Sequence, residues 1–396
     1  MQIRTVHPFP ARMAPELALS SLADLPAGSV VLDPMSGSGT VLRQALALGH
    51  EAIGFDMDPL AVLMSRVWTT PIEEQVVERE LALLMAEAAQ VDLRQQKLHW
   101  HDRETQEFVN FWFGAPQRRS LTRLAYVLAK RRVTKLTPAR SAAIDVLSIA
   151  LSRLIVTKEQ GASLARDTSH SRPHKVADGS NYDVETNFFK SVRQLVQRLL
   201  DQPPPRAAQV QLGDARNLVL SPRSVDAILT SPPYLNAIDY MRGHRLALVW
   251  LGYTLGQLRA IRSSTIGAER AADLDDGPLV RLVAEAMCPL DELESRQRKM
   301  VERYAGDLLR MLKQVERVLS NTGHATFVVG NSCLKDIFIR NSDGVAEAAA
   351  RAGLVLTETR ERDLPAGSRY LPMTAHGSLS KRMRTETVMT FRPGGQ

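Results

Sequence analysis

The sequence predicts an α/β protein built on a doubly wound, mostly parallel sheet, with a helical insertion. Three stretches carry this prediction. The apolar run 29–33 leads through a glycine turn into a helix-prone stretch closed by Gly49. A second run, 51–55, ends in acidic residues, and a third, 225–229, stops at two prolines. Strands that alternate with helices form parallel sheets, and ligands bind beyond the carboxyl ends of such strands.

Composition limits the classes of protein that the chain can belong to. It has 396 residues, of which 44% are hydrophobic and 23% charged, with a formal net charge of +7. This is an ordinary globular composition, and its positive balance favours a polyanionic partner. Cys288 and Cys333 provide neither a disulfide framework nor a zinc spacing. With no signal peptide and no apolar run long enough to span a bilayer, the sequence predicts a cytoplasmic protein without membrane or metal.

The turn after the first predicted strand is suited to a small ligand. Gly37 and Gly39 would let that ligand approach the backbone closely, and the following helix N-terminus favours a carboxylate. Asp56, at the tip of the second strand, is placed to bind the two hydroxyls of a ribose. The turn lacks both a third fingerprint glycine and a phosphate-binding lysine, which favours an adenosine without phosphates. S-adenosylmethionine fits these features, and Asp214, which follows a further predicted strand at 208–212 (the third along the chain), could accept from its adenine amino group.

The loop after the fourth predicted strand reads Thr230-Ser231-Pro232-Pro233-Tyr234. The prolines end the strand, because neither has an N–H to donate. Ser231 and the Pro232 carbonyl could accept the two hydrogens of an exocyclic amino group and free its delocalised lone pair for attack. Tyr234 could stack on a base that has swung out of its helix. A strand-to-loop turn with a capping serine is the simpler interpretation of this segment when it is taken alone.

The segment 71–205 does not continue the sheet pattern and is interpreted as a helical insertion. Within it, the stretch 118–135 contains seven basic residues and no acidic one. A solvated helix face and a phosphate-binding surface both explain this pattern, and the positive net charge favours the second. The side chains proposed to contact DNA are Arg118, Arg119, Arg123, Arg131, Arg132, Arg172 and Lys175.

Two of these motifs together resemble the S-adenosylmethionine-dependent amino-methyltransferases of DNA. The segment 33–40, Asp-Pro-Met-Ser-Gly-Ser-Gly-Thr, is similar to the cofactor loop of that family, with Met35 in place of the usual Phe. The segment 230–234 matches the catalytic loop in the form typical of cytosine-N4 enzymes, whereas adenine-N6 enzymes more often carry Asp or Asn at the position of Ser231. The segment 7–13 is similar to the proline-bearing stretch that packs against the methionine end of the cofactor.

The resemblance implies a Rossmann-like methyltransferase fold that modifies a flipped-out cytosine in double-stranded DNA. It further implies a role in restriction–modification or epigenetic marking, with a restriction endonuclease as a partner in the first case, near the nucleoid of a prokaryotic cell. Ser231, Pro232, Pro233 and Tyr234 would then be catalytic. The cofactor-binding residues implied in this way are His7, Pro8, Arg12, Asp33, Pro34, Ser36, Gly37, Gly39, Thr40, Asp56, Asp58 and Asp214.

The resemblance does not identify which segment of the chain recognises the DNA sequence. Residues 1–70 and 206–396 would form the two halves of the methyltransferase domain, separated by the insertion at 71–205. The cofactor loop precedes the catalytic loop, whereas many relatives have the reverse order, so both the insertion and the stretch after Tyr234 are candidates for DNA recognition. Three alternatives remain at this point: adenine-N6 methylation of DNA, methylation of an RNA amino group, and a non-catalytic DNA-binding subunit.

Overall fold

A computed structural model describes most of the chain and divides it into two compact units. The described residues are 4–9, 13–157, 160–166, 173–235, 239–267, 277–334, 337–364 and 385–395. We call the first unit the helical unit; it comprises Met1–Pro10, Asp58–Ala207 and Asp239–Ile261. We call the second the sheet unit; it comprises Ala11–Met57, Ala208–Ile238 and Arg262–Gln396.

Within its described residues, the sheet unit contains a seven-stranded sheet. Its strands, in chain order, are β1 (Val30–Asp33), β2 (Glu51–Asp56), β5 (Gln209–Leu212), β6 (Val225–Thr230), β7 (Leu319–Val329), β10 (Leu354–Asp363) and β11 (Thr385–Pro393). The order across the sheet is β10-β11-β7-β6-β1-β2-β5. Five of these strands pair in parallel, and β11 runs antiparallel to both β7 and β10.

This arrangement confirms the predicted doubly wound, mostly parallel α/β fold. Numbered along the chain, the strands lie in the order 3-2-1-4-5-7-6, which is the dinucleotide-binding order with one reversed strand placed before the last. The strand order reverses between β1 and β6, which pair through Val31–Ala227 and Leu32–Ile228. Ligands of open α/β sheets bind at such a switch point, beyond the carboxyl ends of the strands.

Helices cover this sheet and complete its core. They are α1 (Pro15–Leu22), α2 (Thr40–Ala47), α11 (Pro278–Met287), α12 (Ser295–Val318) and α13 (Asn341–Arg351), with a 3-10 turn at Leu290–Glu292 and a small hairpin of β8 (Ser332–Leu334) and β9 (Ile337–Ile339). The apolar face of α12 is fully buried at Tyr304, Leu308 and Leu312. The sequence pattern places the start of this helix near Glu302, but a capping box between Glu294 and Gln297 begins it at Ser295.

The helical unit packs around one almost entirely buried helix, α7 (Pro138–Ser152). The helices of this unit are α3 (Pro59–Thr69), α4 (Glu74–Ala89), α5 (Arg103–Trp112), α6 (Ala115–Arg132), α7, α8 (Val184–Asp201) and α9 (Met241–Leu248), and α10 (Leu255–Ser264) begins within it. A two-stranded ribbon joins β3 (Ala165–Arg166) to β4 (His174–Lys175). No helix in the described part of the chain is long and apolar enough to cross a membrane.

The helical unit is larger than the insertion predicted at 71–205. It also contains α3 and the segment Asp239–Ile261, which includes α9. Because α3 and α9 bury apolar residues in the same core as α7, their packing assigns them to this unit rather than to the halves 1–70 and 206–396.

Candidate active site

The cofactor loop predicted at 33–40 lies between β1 and α2, at the carboxyl end of the sheet. The Ser36 N–H donates to the Phe55 carbonyl over 2.8 Å, and the Gly39 N–H donates to the Ser36 carbonyl over 2.7 Å. Gly37 and Gly39 have φ values of 50° and 89°, in the left-handed region that favours glycine. The N-cap residue of α2 is Gly39, which has no side chain to cap the helix, and the N-terminus of a helix favours an anion.

Asp56 lies at the tip of β2, next to this glycine turn. Its Oδ2 accepts a hydrogen bond from the Gly37 N–H over 2.8 Å. The residue is half-buried, and a carboxylate has about four acceptor positions in all. The predicted ribose-binding acid therefore occupies the predicted place.

Gly54, on β2, is a feature of this site that sequence reasoning missed. A Cβ added there would lie 2.5 Å from Leu42 Cδ1 and 3.2 Å from Ser36 Cβ. A larger residue there would force the Leu42 side chain to move and would crowd Ser36. Gly54 therefore allows β2 to pack closely against α2 and the cofactor loop, a contact that only the folded structure reveals.

A buried hydrogen bond joins the cofactor loop to the catalytic loop. Thr230, the last residue of β6, donates from Oγ1 to Asp33 Oδ1 over 2.8 Å, and the Met35 N–H donates to the same oxygen over 3.2 Å. Asp33 is 3% exposed, and burial raises its pKa to about 7, with a smaller contribution from the nearby carboxylate of Asp56. The two predicted loops thus begin side by side, although Asp33 and Thr230 are 197 residues apart in the sequence.

Ser231 is held by a neighbouring strand. Its hydroxyl donates to the Val328 carbonyl on β7 over 3.0 Å. A serine hydroxyl has one donor and two acceptor positions. With its proton directed at Val328, the Ser231 oxygen can only accept from a further group at this edge of the sheet.

Two residues that sequence reasoning missed fix the rest of the catalytic loop. Tyr304, fully buried on α12, donates from its hydroxyl to the Pro233 carbonyl over 2.9 Å. Asn341, at the start of α13, accepts from the Leu235 N–H over 3.4 Å and donates to the Gly330 carbonyl over 3.0 Å. The loop is therefore fastened to two helices, at sequence distances that no local pattern reveals.

The aromatic residue of the loop, Tyr234, also has an acidic partner. Its hydroxyl donates to Glu386 Oε1 on β11 over 3.3 Å. Burial raises the pKa of Glu386, while Arg362, whose Nη1 lies 3.7 Å from Oε2, and the tyrosine lower it. Tyr234 is half-buried, so part of its ring is accessible for stacking.

Asp214 lies in the turn that follows β5, where it is engaged by a cation. Arg216 donates to Asp214 Oδ2 over 2.7 Å and to Asp307 Oδ1 over 2.7 Å, and it also contacts the Ser264 carbonyl. Burial alone would lower the pKa of Arg216, but the two carboxylates outweigh it and raise that pKa. Asp214 is therefore held in place by Arg216, and its carboxylate, 30% exposed, keeps acceptor capacity for an amino group.

Three residues predicted to bind the cofactor lie in the helical unit. His7 Nε2 lies 2.9 Å from Ser152 Oγ, and Nδ1 donates to the Pro8 carbonyl over 2.7 Å. Desolvation lowers the pKa of His7 well below its usual value. Asp58 caps α3 by accepting from the Leu60 N–H over 2.9 Å and pairs with His244 Nδ1. Arg12, which was also predicted to bind the cofactor, lies outside the described residues.

The prediction that Arg131 contacts DNA was wrong. Its guanidinium is buried, with the side chain 9% exposed, and it pairs with Glu80 and Glu87 of α4. Arg140 contacts Glu80 as well, over 2.7 Å. A cation enclosed by carboxylates cannot reach a phosphate, and leaving these acids unpaired would be costly.

The other predicted DNA contacts have different environments. Arg118 is half-buried and donates to the Asn110 and Phe113 carbonyls at the end of α5. Arg132 is exposed and donates to the Leu251 carbonyl, while Arg119 is exposed and Arg123 is half-buried. Lys175 is exposed, lies 2.8 Å from Asp178 Oδ1 and 5.2 Å from the centre of the Phe111 ring. Arg172 lies outside the described residues.

Type II methyltransferases are among the proteins similar in sequence to this chain. The Type II methyltransferase M.MvaI from Kocuria varians is 22% identical over 419 aligned residues, which cover 98% of this chain and 90% of that protein. The similarity therefore extends over nearly the full length of both proteins. A second relative, the Type II methyltransferase M.MjaII from Methanocaldococcus jannaschii, is 32% identical over 66 residues, or 16% of this chain and 12% of its own. No protein-family model matches the chain.

Solved structures give weaker alignments. The TehB-like SAM-dependent methyltransferase from Corynebacterium glutamicum aligns over 95% of this chain and 86% of its own, with 10% identity and a TM-score of 0.31. A SAM-dependent methyltransferase from Methanosarcina mazei aligns over 95% and 98%, with 8% identity and a TM-score of 0.34. The fold assignment rests on the strand order of the sheet rather than on these scores.

Proposed function

We propose that this chain is a DNA methyltransferase that uses S-adenosylmethionine to methylate the exocyclic N4 of a cytosine flipped out of double-stranded DNA. The observation that carries the proposal is the Thr230–Asp33 hydrogen bond of 2.8 Å, which places the start of the catalytic loop beside the start of the cofactor loop. Near full-length similarity to the Type II methyltransferase M.MvaI supports both the reaction and the DNA substrate.

The donor set at the sheet edge fits S-adenosylmethionine. The left-handed Gly37 and Gly39 leave room for a ligand against the backbone, and the first N–H groups of α2 suit its carboxylate. Asp56 would bind the ribose hydroxyls, and Asp214, held by Arg216, would accept from the adenine amino group. When bound, this cofactor supplies an electrophilic methyl carbon, and the sulfur keeps the electron pair of the bond that breaks.

The chain's own contribution is to orient the target amino group. An exocyclic nitrogen is a weak nucleophile, because its lone pair is delocalised into the ring. The Ser231 oxygen, fixed as an acceptor by donation to Val328, and the Pro232 carbonyl would hold the two amino hydrogens. This draws the nitrogen toward a tetrahedral geometry, while Tyr234 stacks on the extruded base. Catalysis is then mainly positioning, without a covalent enzyme–base intermediate.

Ser231 supports cytosine as the target base, because the matching loop of adenine-N6 enzymes more often carries Asp or Asn there. The relationship to a Type II methyltransferase also favours action beside a restriction endonuclease that recognises the same DNA sequence.

Nucleoside mass spectrometry of DNA from cells expressing the chain tests this proposal. We expect N4-methylcytosine, and we expect it to disappear in cells that express the Ser231→Ala variant. N6-methyladenine in its place would overturn the choice of base but keep the reaction. If the DNA of these cells is unmodified although the protein purified from them binds S-adenosylmethionine, DNA is not the substrate.

A further inference from the structure

A cleft of about 600 Å³ opens in the helical unit, and its lining contains none of the residues assigned to the reaction above. One wall is the turn that connects α4 to α5, and the others are α5 itself and the first turns of α6. Clefts of this size hold ligands larger than a single ion. The cleft is open to solvent, so a segment of a long polymer can enter it.

The charge of this cleft is strongly positive. Its lining includes four cationic side chains and one carboxylate; the cations are Lys97, Arg103, Arg118 and Arg119, and the acid is Asp102. Asp102 is already engaged, because it caps α5 by accepting from the Thr105 N–H over 2.7 Å. Arg103 lies 3.0 Å from Glu107, but both side chains are mostly exposed, so that pair offers little competition to a phosphate.

The cations of the cleft are presented in two ways. Lys97 and Arg119 are exposed and can reach a ligand over a range of distances. Arg118 is instead fixed by its Nη1, which donates to the Asn110 and Phe113 carbonyls. A guanidinium has five N–H donors, so Arg118 keeps others for a phosphate oxygen. Gln106 and Asn110, which form a side-chain pair over 3.0 Å, add neutral polar groups of the kind that contact DNA backbones.

The N-terminus of α6 also faces this cleft. Ala115, the first residue of α6, lines the cleft. The N-cap residue of the helix is Gly114, which has no side chain to accept from the first N–H groups. Its first N–H groups therefore add partial positive charge to that of the four side chains.

We infer that this cleft binds the sugar–phosphate backbone of the DNA substrate. The inference rests on the proposed function for the identity of the polyanion. Leu93, Leu98 and Val109 also line the cleft, but its excess of cations, the engaged state of Asp102 and the neutral amides fit a phosphate chain better than a protein partner. The cleft adds Lys97 and Arg103 to the predicted DNA contacts and leaves Arg131 out of them.

Binding of a short fluorescein-labelled DNA duplex to the full-length protein tests the inference. The test variant is Lys97→Gln/Arg119→Gln, which keeps the fixed Arg118 intact. Affinity is measured by fluorescence anisotropy from roughly 50 to 200 mM salt. Each lost phosphate contact makes the negative slope of log K against log salt less steep by about 0.9. We therefore expect the slope to become less steep by about 1.8 and binding to weaken roughly tenfold at the lower salt.

The matched control is Lys130→Gln/Lys135→Gln, which removes the same charge from exposed positions at the other end of α6 and just beyond it. Equal effects of the two double variants would overturn the cleft, since net charge alone would then explain the result. Tighter binding of an A-form RNA duplex of equal length, lost in the test variant alone, would overturn DNA as its occupant.

Titration with S-adenosylmethionine separates this outcome from failure of the proposed function. A wild-type protein that binds the cofactor and DNA but transfers no methyl group refutes the reaction and leaves the cleft standing. If the test variant transfers methyl groups and its DNA binding has an unchanged salt dependence, the cleft does not bind DNA, whereas the proposed reaction is supported.

Discussion

The cofactor loop and the catalytic loop begin at the same hydrogen bond but are shaped by different means. The cofactor loop takes its path from its two left-handed glycines and from the adjacent strand β2, whose residues Phe55 and Asp56 accept two of its N–H groups. The catalytic loop takes its path from distant residues, since Val328, Tyr304 and Asn341 belong to three other elements. A loop encoded locally tolerates changes elsewhere, whereas one encoded by its surroundings can be displaced from afar.

The largest effect is expected from Ser231→Ala, at the centre of the catalytic loop. We expect methyl transfer to fall by about 100- to 1,000-fold, the usual size when one preorganised partner of a reacting group is lost. Isothermal titration should show S-adenosylmethionine binding unchanged. Ser224→Ala is the control, because Ser224 is exposed and donates to the nearby Ser221 carbonyl. Full activity of Ser231→Ala would remove this serine from the reaction.

Asp33→Asn tests the junction where the two loops begin. The pKa of Asp33, about 7 in the folded state, exceeds its value in the unfolded chain, so the folded protein holds the proton more tightly. Asp33 therefore lowers the free energy of unfolding as pH rises from about 4 to 7, by up to about 1.4 kcal/mol per pH unit. Urea unfolding should give the variant the same free energy of unfolding as the wild type near pH 4. Between pH 4 and 7 the free energy of unfolding of the variant should become increasingly larger than that of the wild type. A constant difference at every pH would contradict the assignment.

Gly39→Ala tests whether the cofactor loop depends on backbone conformation. At a φ of 89° an alanine costs about 1–2 kcal/mol, and we expect S-adenosylmethionine binding to weaken about tenfold. Gly28→Ala is a matched control, because Gly28 has a φ of 80° and an added Cβ meets no atom within 4 Å. Both variants should lose similar stability in thermal unfolding. If Gly28→Ala weakens cofactor binding equally, the effect is general and the local encoding of the loop is refuted.

The smallest effect is expected from Tyr304→Phe, which acts on the catalytic loop through its position. Removing the hydroxyl leaves the Pro233 carbonyl without its donor on α12 and costs about 1 kcal/mol of stability. We expect kcat to fall about fivefold, since Tyr304 positions the loop without touching the base. Cofactor affinity should be unchanged. A parallel loss of cofactor affinity would show that the two loops are not separately encoded.

The same difference explains how much could be predicted from the sequence. The strand–glycine turn–helix of the cofactor loop, Asp56 and the proline-terminated strand are local patterns, and each lies where the sequence places it. Gly54, Tyr304 and Asn341 could not be found in this way, because their importance arises only when strands and helices pack. The interpretation of Arg131 failed for the same reason, since its partners Glu80 and Glu87 lie 51 and 44 residues away.

The reversed strand β11 has a consequence for how the molecule is made. It lies between β7 and β10, so the last of the seven strands to be synthesised fills an interior position in the sheet. Until Thr385–Pro393 emerges from the ribosome, β7 presents an open edge and β10 has no neighbour within the sheet. The sheet can therefore be completed only after residues 385–393 have been synthesised, and a chain that stops before them would expose an unpaired, aggregation-prone strand edge.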